Sequence, residues 1–248
     1  MKTYLVSGAG TGIGFEIAKK LTNEGHRCIL LGRDIQSLQK AAATIGGAQI
    51  ILEADIRSIN SLKEASGHPD ISSIDGIIAN AGVGGENYWG DDDRWGDIMQ
   101  TNLTGTYNSV NAFLPALRKS ESAYKHILIT SSVLARLGVA NYSAYCASKA
   151  GLLGLMRSWA VQFAPERILV NAICPGWVDT QMSQDGMQGI TNSIGISKDE
   201  FHEVAMQSVP LRKMSQPEEI AELVCYLLKQ QSITGQTIDI NNGAVMNS

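Results

Sequence analysis

Short apolar runs alternate with longer amphipathic stretches along the whole chain, and that rhythm restricts what it can fold into. The runs Thr3–Ser7, Arg27–Leu31, Gln49–Glu53, Gly76–Ala79, His126–Thr130, Leu169–Ile173 and Thr237–Ile240 mostly lack strict polar–apolar alternation. Strands of a parallel sheet covered on both faces read in this way. Helix-period stretches lie between them near 13–24, 34–44, 59–66, 94–118, 143–164 and 216–229. This succession predicts one doubly wound α/β sheet with helices on both faces. No internal repeat, low-complexity tract or Pro/Ser-rich linker divides the 248 residues, so one domain, 1–248, is expected. One segment breaks the rhythm, from Gln181 to Ser208, with Gly186, Gly189 and Gly195 ahead of a helical stretch starting around Lys198. It is too long for a βα connection and follows a strand's C-terminal end, where ligands bind in such sheets, so 181–208 is read as a substrate lid.

Charge and cysteine usage remove other classes. The chain carries 20 basic and 24 acidic residues, a net charge of −4, with no Lys/Arg block to serve a nucleic acid. No window reaches the ~18 apolar residues of a membrane span. The first residues run straight into a strand-like stretch without the regions of a signal peptide, so a cytoplasmic location is expected. Cys28, Cys146, Cys174 and Cys225 are too sparse for a disulfide framework and are expected as free thiols. The four histidines form no ligand-spaced pair, and no metal site is expected.

Glycine is in excess, 25 residues or about 10% against a usual ~7%. Four of them follow the first strand in Ser7-Gly8-Ala9-Gly10-Thr11-Gly12-Ile13-Gly14, immediately before a helix. Such a turn lets a pyrophosphate approach the N–H groups of a helix N-terminus, and its position between strand and helix points to nucleotide binding. At the end of the second strand, Gly32 stands where an acidic residue would bond a ribose 2′-hydroxyl, and Arg33 follows it. That order favours NADP(H), with NAD(H) also possible, since an arginine there accommodates a 2′-phosphate. Arg33 as a solvated residue and Asp34 as a helix cap remain open. Asp55-Ile56 and Asn80-Ala81-Gly82 end their strands at the same edge, as cofactor contacts or as a cap and an ordinary turn.

Tyr145 and Lys149 stand four apart near the start of a helix and so share a face. A neighbouring ammonium stabilises a phenolate, bringing a group of pKa ~10 toward useful acid–base work. Ser132, at the end of the fifth strand, is placed to bond a substrate carbonyl and the phenol. A plain surface pair and a plain turn are the structural alternatives.

Taken in order, these motifs resemble the short-chain dehydrogenase/reductase family over about residues 2–243. They are Gly8-x-x-x-Gly12-Ile13-Gly14, Asn80-Ala81-Gly82, Asn102-Leu103-Thr104-Gly105, Ser131-Ser132, Tyr145-x-x-x-Lys149 and Pro175-Gly176-x-Val178-x-Thr180. The resemblance implies a Rossmann fold with strand order 3-2-1-4-5-6-7 and a catalytic set of Asn102, Ser132, Tyr145 and Lys149. Tyr145 would be the acid/base, Lys149 would lower its pKa and hold the nicotinamide ribose, and Ser132 would polarise the carbonyl. Asn102 would kink its helix and hold a water in a proton relay. Ser7, Gly8, Gly10, Thr11, Gly12, Ile13, Gly14, Arg33, Asp55, Ile56 and Asn80 to Gly82 would bind the cofactor. So would Pro175, Gly176, Val178 and Thr180, together with Tyr145 and Lys149.

Three places depart from the family pattern. Ser7 replaces the usual Thr, Thr11 is not basic, and Asn241-Asn242-Gly243 replaces Asp-Gly-Gly. The implied reaction is NADP(H)-linked interconversion of a neutral ketone, a 3-oxoacyl thioester among the options, and a secondary alcohol. An NAD-linked dehydrogenase and a catalytically silent binding or regulatory subunit are the rivals, and the intact set of four residues argues against the silent form. The lid is nearly neutral and apolar at Met182, Met187, Ile190, Ile194 and Ile196, with Trp177 beside it. Trp177, Met182 and Met187, with Ser132 and Tyr145, are therefore the expected substrate contacts, the alternative being that the apolar residues pack the lid onto the body. By analogy the chain would be a homo-oligomer, tetramer or dimer, through the helices near 94–118 and 143–164. Ala150, Gly151 and Gly154 there either permit close packing or face the sheet.

Overall fold

The computed structural model describes residues 1–246, the side chains of residues 193 and 194 excepted. The described residues form one seven-stranded sheet of order β3-β2-β1-β4-β5-β6-β7 in which every pairing is parallel. Its strands are β1 (Thr3–Ser7), β2 (Arg27–Gly32), β3 (Ile50–Glu53), β4 (Gly76–Ala79), β5 (Lys125–Thr130), β6 (Ile168–Pro175) and β7 (Thr237–Ile240). The helices that cover it are α1 (Gly12–Asn23), α2 (Ile35–Ile45), α3 (Ile59–Ser66), α5 (Gly105–Arg118), α6 (Ser143–Phe163) and α9 (Pro217–Leu227). Between β4 and α5 lies the short α4 (Trp95–Met99), and the lid contains α7 (Gln181–Ile194) and α8 (Lys198–Gln207).

Each strand sends alternate residues to opposite cores, which is why continuous apolar runs mark them. Leu5, Ile29, Ile77, Ile127 and Val170 join α3, α5 and α6 through Leu62, Phe113, Leu152 and Met156. Tyr4, Val6, Leu30, Ile78 and Leu128 join α1, α2 and α9 through Ile17, Leu38, Ile220 and Val224. The order reverses between β1 and β4, so their C-terminal ends open a crevice rather than feeding one continuous layer of helices.

The lid differs from the sequence reading. Residues 181–194 are helical, with Gly186 and Gly189 inside the helix although glycine weakens it. The Thr180 hydroxyl caps α7 by accepting from the Ser183 amide at 3.3 Å, and Gly195 ends it in the left-handed region at φ 74°. Ser197 and Glu200 then form a reciprocal capping box on α8. Met187, Met206, Val209 and Met214 give this excursion a small core of its own, against which Trp177 and Phe201 pack edge to face. The C-terminal departure from the family pattern also has a structural use. Asn242, at φ 55°, donates from its amide to the Lys213 carbonyl and the Ser215 hydroxyl at 3.0 Å each, tying the end of the sheet to the base of the lid.

Gly76 is a close approach within the sheet. A Cβ there would lie 2.9 Å from the Tyr4 ring and 3.2 Å from the His126 carbonyl oxygen. Gly76→Ala is expected to destabilise the fold by about 1–3 kcal/mol, read as a lower urea midpoint at unchanged slope.

Candidate active site

The glycine-rich turn is shaped by backbone contacts that exclude side chains. A Cβ on Gly14 would lie 2.2 Å from the Gly8 carbonyl oxygen, and one on Gly8, at φ 68°, would lie 2.9 Å from the Ala81 Cα. Ser7 staples this turn to the end of β4, its hydroxyl accepting from the amides of Asn80 and Ala81 at 3.0 Å each. Ser7 is buried and does not reach the cleft wall, so the hydroxyl that the Thr-to-Ser change keeps is a brace. Thr11 makes no side-chain cap bond to α1, leaving first-turn amides of that helix to face the cleft. Across the cleft stands Thr180, whose methyl would be 3.4 Å from a Cβ on Gly12.

At the β2 end, Gly32, Arg33, Ala54 and Ile56 line the same cleft. Arg33 is exposed at its mouth. Asp34 turns away to cap α2, accepting from the Gln36 amide at 3.0 Å and from the Ser37 hydroxyl, and these bonds hold its carboxyl below the usual range. Its reading as a helix cap is the one seen. Asp55 is engaged by the Arg57 guanidinium at 2.7 Å, which holds its carboxyl low, while Ile56 beside it supplies the apolar wall.

The catalytic candidates converge at the other end of the cleft. Lys149 is buried on α6 and donates to the Thr130 carbonyl oxygen at 2.9 Å, its Nζ lying 5.6 Å from the Tyr145 ring centroid. Burial pushes the Lys149 ammonium down to about 8 and pushes the Tyr145 phenol above its ordinary value, while the nearby Ser132 hydroxyl pulls it back. Ser132 is itself fixed at the start of a short 3₁₀ turn, accepting from the Leu134 amide at 3.1 Å. Asn102 lies in a π-helical segment, Gln100–Thr104, joining α4 to α5. Its amide grips the Val83 backbone twice, accepting from the Val83 N–H at 2.8 Å and donating to the Val83 carbonyl at 3.0 Å, and also donates to the Ser148 hydroxyl. Gly82 passes between these groups, 3.0 Å from Asn102 Oδ1 and 3.5 Å from Lys149 Nζ at its Cβ position.

Sequence reasoning overlooked Thr101 and Thr130. Both hydroxyls are buried, face the cleft and have no hydrogen-bond partner among the described residues. Their only sequence signal was adjacency to Asn102 and Ser131. Two expected substrate contacts sit elsewhere. Met187 is 2% exposed within the core of the lid and Trp177 packs on Phe201, so the packing alternative describes both. Met182 does line the cleft, with its Cγ and Sδ each 3.5 Å from a Cβ position on Gly84. The Ile194 side chain lies outside the described residues.

The cleft fits a dinucleotide. Turn glycines leave room for a pyrophosphate at a helix N-terminus, a cationic residue stands at the far mouth, and orphaned hydroxyls face inward. Comparisons with known proteins agree with this geometry. A family model described as enoyl-(acyl carrier protein) reductase matches residues 8–245. The 3-oxoacyl-[acyl-carrier-protein] reductase FabG of Haemophilus influenzae is 31% identical over 249 residues, covering 98% of this chain and 97% of the relative. A variant of actinorhodin polyketide ketoreductase with NADPH superposes with a TM-score of 0.92 at 29% identity, covering 98% of this chain and 97% of that one. The ligand-free aldohexose dehydrogenase of Thermoplasma acidophilum gives 0.85 at 26% identity, covering 100% and 95%.

The depressed Lys149 sets a pH dependence. Between about 8 and its ordinary 10.5 the unfolded chain binds more protons at this residue than the folded one, so its contribution to stability rises with pH across that window. Lys149→Met is expected to be more stable than the parent at pH 7, with the gap closing as pH rises through the window, as checked by thermal unfolding. Gly14→Ala is expected to weaken dinucleotide binding at least about tenfold and to lower Tm, because the clash is with backbone.

Proposed function

The chain belongs to the short-chain dehydrogenase/reductase family and is an oxidoreductase; from that premise we propose that it interconverts a neutral ketone and a secondary alcohol with NADP(H). The observation that carries this reading is the convergence of Tyr145, Ser132 and Lys149 at one end of the cleft whose other end holds the glycine turn. When bound, the nicotinamide would supply or accept the hydride.

The residues of the chain then have separable tasks. Tyr145, kept protonated by burial, donates its phenolic proton to the oxygen of the reduced carbonyl, or takes that proton in oxidation. Ser132 hydrogen-bonds the same oxygen and holds the phenol in line. Lys149, an ammonium below about pH 8, stabilises the phenolate left by proton donation. It would also hold the nicotinamide ribose. Asn102 fixes the Val83 backbone beside Lys149 and interrupts its helix with a π segment, the place where a water could relay protons. Thr101 and Thr130 offer hydroxyls to the cofactor.

Arg33, exposed at the mouth while Asp34 is occupied as a cap, supports NADP(H) over NAD(H). A silent binding subunit would need none of the burial of Lys149. Tyr107, 48% exposed and stacked on Trp159, and Val161, 80% exposed, offer apolar surface on α5 and α6 for a homo-oligomer, while Gly151 packs inward on Leu103. Among the described residues no helix is long and apolar enough to cross a membrane, and a cytoplasmic enzyme fits that.

Tyr145→Phe is expected to cut turnover by about 10²–10⁴-fold, followed by nicotinamide absorbance over a ketone panel, with NADPH affinity retained. Retained turnover would remove the acid/base assignment. Arg33→Ala is expected to weaken NADPH about tenfold and to leave NADH unaffected, as read by fluorescence titration. Equal binding of the two nucleotides to the parent protein would reverse the cofactor preference.

A further inference from the structure

One face of α7 meets the loop at 84–86 and Tyr142 with one methionine and two glycines. Met182 contacts the loop at Gly84, which is itself 3.9 Å from Tyr145 Cε2 at its Cβ position. Further along α7, a Cβ on Gly186 would stand 3.9 Å from the Tyr142 hydroxyl, and one on Gly189 would stand 3.8 Å from Glu86 Oε2. Spacings of four and three place these three residues on one face of α7. The two glycines, unfavourable inside a helix, bring the α7 backbone close to Tyr142 and Glu86 without a side chain between them.

Both of those polar groups are without a hydrogen-bond partner among the described residues. Tyr142 is only 8% exposed, and its ring meets the Tyr145 ring edge to face at 6.4 Å. Glu86 is half-buried, and burial, helped by the Glu86 charge, pushes the Tyr142 phenol up to about 12. The nearby cation, Arg94, is directed at backbone, donating to the Gly84 and Glu86 carbonyl oxygens, with Asp97 at 4.0 Å. The Tyr142 hydroxyl and the Glu86 carboxylate thus keep their hydrogen-bonding capacity free for a ligand beside Tyr145. A carboxylate only accepts, so the ligand must present a donor, and it repels an anion.

Resting on the reading above, we propose that Glu86 and Tyr142, facing the Met182, Gly186 and Gly189 side of α7, form a subsite for a hydroxyl group on the substrate. The substrate class is then a neutral hydroxyl-bearing ketone or its alcohol, held at the carbonyl by Ser132 and Tyr145 and at a hydroxyl a few bonds away by Tyr142 and Glu86.

Three ketones differing only at the chain end test this: 4-hydroxybutan-2-one, pentan-2-one and 4-oxopentanoate, carrying hydroxyl, methyl and carboxylate. The kcat/KM with NADPH is expected to favour the hydroxyl compound over the methyl compound by about tenfold or more, with the carboxylate slowest. Titrating the same compounds against the enzyme–NADPH complex by nucleotide fluorescence reads the subsite where turnover is absent. Absence of turnover with all three alongside selective binding of the hydroxyl compound would remove the catalytic reading and keep the subsite. Glu86→Leu and Tyr142→Phe are each expected to collapse the hydroxyl-to-methyl ratio, and Glu86→Gln to admit the carboxylate. Asp91→Asn, which removes a charge from the same loop, is expected to preserve the ratio. No hydroxyl preference in the parent, a ratio that survives both Glu86→Leu and Tyr142→Phe, or an equal loss in Asp91→Asn would overturn the proposal.

Discussion

The approach of backbone to backbone at the end of β1 is the constraint from which the site is built. With Gly8 against Ala81 and Gly14 against the Gly8 carbonyl, the first turn, the end of β4 and the start of α1 occupy a space that admits no side chain. Ser7 locks the two turns together from below. Because β4 continues into the turn that Asn102 grips, the same contact also sets the height of Val83 and Gly82 relative to Lys149. The phosphate end and the chemical end are therefore parts of one backbone arrangement.

Electrostatically the site is held in tension. Burial works against the charge on Lys149 and against ionisation of Tyr145, so both residues lean toward their neutral forms. Burial raises the Tyr145 phenol, and the Ser132 hydroxyl opposes it. An amine so close to neutrality changes its protonation readily, a useful property beside a proton donor. The uncompensated groups, with the hydroxyls of Thr101 and Thr130, lie on the side where ligands enter. That placement puts the cost of burial where binding can offset it.

Most of the fold was legible because strands buried on both faces leave unbroken apolar runs, and β1 and β4 begin and end where those runs do. The helix cap at Asp34 and the pairing of Tyr145 with Lys149 were legible through short-range rules of spacing and turn chemistry. The lid was harder. Glycines at 186 and 189 speak against a helix locally, and what outweighs them is packing of the lid on its own methionine core. Met187 and Trp177 pack within the lid for the same reason, since apolar character does not say which of two nearby surfaces a side chain covers. Glu86 carried no motif; only the folded chain sets it, with Tyr142, opposite the glycine face of α7.

The lid leaves and rejoins the body at one rung. Val178 and Ser215 bridge in parallel, the Ser215 amide donating to the Trp177 carbonyl at 2.8 Å and the Asp179 amide to the Ser215 carbonyl at 2.9 Å. Asn242 secures that rung from the sheet side. An excursion pinned at its base can be lengthened at small entropic expense, since doubling a closed loop costs only about 0.6 kcal/mol. The stretch between Asp179 and Met214 is thus a module hung from one rung, whose length can change without disturbing the sheet beneath it.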